Sequence, residues 1–308
     1  MKALLICPVA RPEVAVLAEQ APLAAVPLLS STLIEYWLVH LAARGAREVT
    51  VLASDRTGKI RRIVADGARW GLRVEVLPAA GEPTIEAARH QAQSGDASGW
   101  LPAPDDVVLL DHLPGLPGVH LFESYQTWFA AVQSWMARAL TPDRVGFREI
   151  QPGVRVGLHS RIHPEAVLIP PCWIGEKVSL GPGVTVGPQA VVEDRAVIEA
   201  GAEISHSIVG PETLVGRLTE IRDSLAWGDT LVNWKNASCL RVREPFLLSP
   251  LRERSAASSA TETTEPWHLS PRWSAAEPAP LRAAGQVLAG LLQQVRVGSF
   301  RDENRNPR

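Results

Sequence analysis

Residues 156–209 read VGLHSRIHPEAVLIPPCWIGEKVSLGPGVTVGPQAVVEDRAVIEAGAEISHSIV, and their spacing decides the fold. Val156, Ile162, Leu168, Ile174, Leu180, Val186, Val192, Ile198 and Ile204 recur every six residues without a miss. If about one residue in four is Ile, Leu or Val, chance gives such a run on the order of a few times in a million. Four places after each aliphatic stands a small or β-branched residue: Ser160, Ala166, Cys172, Val178, Val184, Ala190, Ala196, Ala202, Ile208. One place after it, Gly157, Gly175, Gly181 and Gly187 suit tight corners, while His163, Ile169, Glu193, Glu199 and Ser205 fill the others. A period of six matches no helical face, and Pro164, Pro170, Pro171, Pro182 and Pro188 would break a helix. Short strands joined by turns remain. Three of them close a triangular coil, and coils stack as parallel strands about 4.8 Å apart. The aliphatics then run in ladders down a narrow prism, and no coil is stable without its neighbours.

These hexads resemble the left-handed parallel β-helix of hexapeptide-repeat proteins; the left hand is what the resemblance implies. A five-residue step separates Ile204 from Val209, after which Val209, Val215 and Ile221 continue the pattern for about one more coil. Trp227, Trp234 and the segment to Leu248 are expected to cap the prism, since an open end would expose strand edges.

The whole chain has 308 residues and a formal charge of −2, with 31 basic against 33 acidic side chains. That balance makes no electrostatic case for nucleic acid or an anionic membrane as partner. Cys7, Cys172 and Cys239 show no metal or redox spacing, which fits a reducing cytosol. The apolar start at residues 3–6 is too short for a signal peptide, and no run reaches membrane length.

Ahead of the repeats, strands alternate with helices. Strands are expected at 2–6, 49–53, 72–77 and 107–110. Helices are expected from the Thr32/Glu35 capping box to Gly45, and at 58–69, 83–93 and 122–140. The alternation implies a parallel, Rossmann-like sheet. The expected organisation is an α/β domain at 1–145 with 122–140 as connector, a β-helix with cap at 150–248, and a tail at 249–308. That tail combines a Ser/Pro-rich linker, a weak amphipathic helix at 281–297 and a disordered end.

The stretches PLLSSTLIEYWLVHLAARGAREVTVLAS and DGARWGLRVEVLP, in this order, are similar to the sugar-nucleotide pyrophosphorylases of the mannose-1-phosphate guanylyltransferase type. In that family an α/β nucleotidyltransferase domain precedes such a β-helix, and the resemblance covers roughly residues 1–245. It implies transfer of a nucleotidyl group to a sugar phosphate, with Mg²⁺ and backbone N–H groups on the phosphates. Residue by residue the family's chemistry is thinned. The glycine-rich loop is replaced by CPVARPEVAVLAEQAPLAAVP, with no glycine before Gly45. Pro22-Leu23-Ala24 stands where the family has Pro-Lys-Pro, and no lysine lies between Lys2 and Lys59. Pro83-Thr84-Ile85 replaces the base-gripping Gly-Thr-Ala. Arg11 corresponds to the loop arginine, and Asp111, after DVVLL, to the metal-binding aspartate. Only 44 residues separate Asp111 from Val156, too few for the family's sugar-binding strands and second metal-binding aspartate.

The expected function is therefore non-catalytic. The chain would bind a nucleotide or nucleotide-sugar, a homologous transferase or a second copy of itself, with Arg11 and Asp111 as the candidate nucleotide contacts. An active nucleotidyltransferase with Mg²⁺ on Asp111 is the alternative. A third possibility is hexapeptide-type acyl transfer, for which His159, His163 and His206 are candidate bases, His163 at a corner and the other two at outward offsets.

Overall fold

The structure is a computed structural model that describes residues 1–93, 99–139 and 146–251. The proposed linker, helix and tail beyond residue 251 lie outside the described residues. So does the end of the proposed 122–140 helix.

Strands β1 (Lys2–Ile6), β4 (Glu48–Ala53), β5 (Arg73–Pro78) and β6 (Val107–Leu109) form one parallel sheet in the order β5-β4-β1-β6. That order matches the first half of a doubly wound sheet. Between β1 and β4 lie the short α1 (Ala15–Gln20), a two-stranded hairpin of β2 (Pro27–Leu28) and β3 (Ser31–Thr32), and α2 (Leu33–Ala43). The Thr32/Glu35 capping box is formed, so two orphan N-terminal donors of α2 are satisfied reciprocally. Helix α4 (Ile85–Gln93) follows β5.

Two helices are shorter than the periodicity implies. Helix α3 (Thr57–Val64) stops where Ala65 and Gly67 turn left-handed, at φ 47° and 79°. A side chain at Gly67 would press on Val74 Cγ2 at 2.3 Å, so the chain must turn there to reach β5. Helix α5 (Tyr125–Met136) starts at Ser124, whose hydroxyl accepts from the Thr127 N–H.

The repeats form a parallel β-helix. Val156–Ile174–Val192–Val209, Ile162–Leu180–Ile198–Val215 and Leu168–Val186–Ile204–Ile221 are the three aliphatic ladders, in register on three sheets. Three expectations need correction. Gly157 and Gly175 do not serve left-handed corners. They are small because the next coil's backbone passes 2.6–2.7 Å from where a Cβ would stand. One row of left-handed corners is filled by stacked non-glycine residues, His159, Lys177, Arg195 and Glu212, while Gly183, Gly187 and Gly201 take up positive φ elsewhere. Ile208 does not point inward either. The five-residue step moves Ser207 into the inner position, fully buried, and turns Ile208 outward. The Ser207 hydroxyl donates to the Ser205 carbonyl and accepts from the Ser224 N–H, which satisfies a polar side chain inside an apolar ladder. Lastly, the prism's end is closed by an antiparallel meander of Ser224–Trp227, Thr230–Asn233 and Ser238–Arg241 rather than by tryptophan plugs. Leu248–Pro250, which spans the expected boundary between cap and tail, is a strand that pairs antiparallel with Thr213–Val215.

Trp227 and Trp234 lie on the prism side that faces the α/β domain. Trp234 stacks on Phe129 of α5 at 4.6 Å, and Trp227 joins a core that runs through both halves. The outward residues of that side, Trp173, Val191, Ile208 and Leu225, are buried in the same core. A buried polar clamp helps fasten the halves. The hairpin turn between β2 and β3 places Leu29 and Ser30 at φ 53° and 59°, a geometry usually left to Asn-Gly. The buried Glu193 carboxylate accepts both turn N–H groups, at 2.7 and 2.8 Å.

Candidate functional site

In an open α/β sheet, ligands bind beyond the carboxyl ends of the strands, at the point where strand order reverses. Here that point lies between β1 and β6, and Arg11 and Asp111 both fall near it. The structure occupies each with a protein partner. The Arg11 guanidinium meets both oxygens of Glu82, at 2.7 and 2.8 Å, and the Val9 N–H donates to the same carboxylate. Leu17, Leu23 and Ala24, in the segment that replaces the glycine-rich loop, are packed into the core. Arg11 is thus a strut and not a free cation.

Asp111 has one carboxylate oxygen 2.7 Å from His112 Nδ1 and the other 2.9 Å from His120 Nδ1. Burial pushes its carboxyl up, but the two imidazole hydrogen bonds outweigh burial and leave it below the ordinary carboxylate range. Trp37 holds the arrangement, since its indole N–H donates to the His112 carbonyl at 2.8 Å. Mg²⁺ prefers an octahedron of oxygens with several waters. Each Asp111 oxygen already accepts one imidazole hydrogen bond, and the neighbours offer nitrogen and not a second carboxylate, so an ion there would compete with both histidines. Among the described residues no group of three or more His, Cys, Asp or Glu could hold a metal.

The three histidines of the repeats separate by environment. His163 is exposed and opens the turn at 163–166, where its carbonyl accepts from the Ala166 N–H and its Nδ1 from the Glu165 N–H. His159 is an exposed member of a left-handed corner row. His206 sits in a second such row with Gln189 and Asp223, and is half-buried. It lines a shallow groove of about 400 Å³ with Pro188, Ser205, Arg222, Asp223 and Lys235, the last two paired at 2.9 Å. A base in that groove could meet an acceptor brought against a side of the prism that the α/β domain does not cover.

A further groove, of about 690 Å³, was not read from the sequence. It lies where α2, the Ala68–Trp70 turn, the end of α5 and the first coil meet, with Tyr36, Trp70, Trp135 and Phe147 as its aromatic wall. Its signal was hidden because these rings come from four separate elements. Neither buried thiol belongs to a site. Burial raises Cys7 and Cys172 to about 12, far from thiolate reactivity at neutral pH.

Residues 171–206 match the family model described as bacterial transferase hexapeptide (six repeats). The match lies wholly within the prism and includes no residue of the α/β domain. No curated protein matches the chain. Among solved structures, the chain is similar to a mutant of perosamine N-acetyltransferase from Caulobacter crescentus in complex with CoA and GDP-perosamine. Identity is 14%, covering 60% of this chain and 94% of that one, and the TM-score of 0.17 is too low to equate the folds. The hexapeptide repeat has outside support, then, whereas the nucleotidyltransferase resemblance rests on the sequence stretches alone. Among the described residues no helix is long and apolar enough to cross a membrane.

Proposed function

We propose that the chain is a non-catalytic binding and assembly protein built on a hexapeptide-repeat prism, with nucleotidyl transfer lost from its α/β domain. The Arg11–Glu82 ion pair carries this reading, because it fills the place where a triphosphate would have to sit. To admit a triphosphate the chain would have to break a half-buried, charge-assisted ion pair and expel Leu17 and Leu23 from the core. Two of the prism's three sides are not covered by the α/β domain, and flat repeat faces of this kind favour association with a second copy. The test is pyrophosphate release from each nucleoside triphosphate with Mg²⁺ and a panel of sugar 1-phosphates. No turnover is expected, and turnover abolished by Asp111→Asn would overturn the proposal. Molecular mass in solution tests the assembly half, for which a strict monomer is the failing result.

A second reading is acyl transfer, favoured by the transferase model matched at 171–206 and by the half-buried His206 in its groove. His206 would take the proton of an amine or hydroxyl acceptor. The freed lone pair would form the new bond to the acyl carbon of a thioester, and the thiol would leave with a proton. Thiol release from an acyl thioester in the presence of amino and hydroxy sugars, lost in His206→Asn, would establish this reading instead.

A further inference from the structure

We infer that the groove between α2, α5 and the first coil binds a ring-bearing organic anion of the nucleotide class. This goes beyond the assembly role and holds whether or not His206 is catalytic. Three features point to such a ligand. Aromatic rings converge there: Tyr36 and Trp135 meet edge to face at 5.5 Å, and Val39, on the exposed side of α2, is 54% accessible. Ring faces of this kind bind any base by stacking, without needing a sequence-like code.

Cations stand beside the rings. Arg69 is held in place twice, by Glu35 at 2.8 Å and by the Trp70 ring 4.2 Å beneath its guanidinium carbon. Arg138 lines the same groove and has no carboxylate partner among the described residues. One arginine is therefore preordered, and the other has its charge available for an incoming anion. Glu176 adds an acceptor at the rim, suited to a ribose hydroxyl or an exocyclic amine. The volume of about 690 Å³ falls in the range of small-molecule sites.

The contrast with the sheet's carboxyl-end crevice is chemical. There, each charge has been cancelled by an internal partner; here, aromatic surface and an unspent guanidinium face a cavity. The site also lies outside the region that the pyrophosphorylase resemblance would nominate.

Calorimetry on the full chain with ADP, GDP and UDP tests the inference, with adenosine and inorganic pyrophosphate as half-ligand probes. At least one nucleoside diphosphate should saturate, and each half-ligand should bind about tenfold or more weakly. Arg138→Glu, at an exposed position, should raise that Kd about tenfold or more with an unchanged melting temperature, whereas Arg11→Ala should leave it as it was. The inference fails if none of the three diphosphates binds, if pyrophosphate alone binds as tightly, or if affinity tracks Arg11 instead of Arg138. An association state that persists while nucleotide binding is absent would separate failure of this inference from failure of the assembly role.

Discussion

The three sides of the prism are alike within and unlike without. On the covered side the outward positions in successive coils are Arg155, Trp173, Val191, Ile208 and Leu225. On the two sides that the α/β domain does not cover they are Arg161, Ser179, Val197 and Leu214, and Val167, Thr185, Glu203 and Glu220. The inner ladder is the same aliphatic series on all three. What differs is whether a second layer covers the strand, and a strand buried on both faces becomes apolar at every position. Arg155 is the exception, and its guanidinium donates to the Met136 carbonyl at the end of α5. The lesson is that a hexad repeat fixes the coil, and only an eighteen-residue reading of the place before each aliphatic reveals the docked side.

The sharpest break of this comparison is Trp173→Ala. It empties a fully buried site between the prism, Phe147 and the hairpin, and should cost about 3–5 kcal/mol in chemical denaturation. Thr185→Ala, at an outward place on a side that the α/β domain does not cover, should stay within about 0.5 kcal/mol. Comparable losses at the two positions would refute a docked side.

Next in size is Glu193→Ala, which leaves the Leu29 and Ser30 N–H groups without their carboxylate. A loss of about 2–3 kcal/mol is expected, together with faster proteolysis near the hairpin. Full retention of stability would mean that the clamp does not hold the halves together.

Ser207→Ala probes the register slip. It removes the acceptor for the buried Ser224 N–H and should cost about 1–3 kcal/mol, more than most Ser-to-Ala changes outside the ladder. A neutral result would argue that the five-residue step is absorbed elsewhere.

Smallest is Asp111, on the α/β side of the comparison. Its folded carboxyl lies below the ordinary value, so its stabilisation is complete above that ordinary range and vanishes as pH falls through the depressed folded value. Asp111→Asn should lower stability at neutral pH by about 1 kcal/mol, and the deficit should close on acidification. A deficit that persists unchanged at low pH would show that packing, and not charge, is what the substitution disturbs.

The two halves also differ in how far they could be read. The strands of the sheet, the capping box of α2 and the ladders were legible because each follows from a local period or a local hydrogen bond. Arg11 and Asp111 were legible as positions but not as chemistry. Glu82 lies 71 residues from Arg11, and His120 lies nine from Asp111; nothing in either spacing reveals that the charges meet. The junction groove was invisible for the same reason, since Tyr36, Trp70, Trp135 and Phe147 belong to different elements. Glu193 read as a corner filler, and its role appeared only once the β2–β3 turn was found against it.

The sequence by itself determined the coil: the six-residue period, the small inner residues and the prolines admit no other regular structure. Tertiary structure alone decided which side of the prism is covered, which charges are cancelled and where an open groove remains. The physical reason is range. Backbone pairing and side-chain alternation repeat along the chain and so are written in its period, whereas docking and charge pairing depend on which distant surfaces the folded chain brings together.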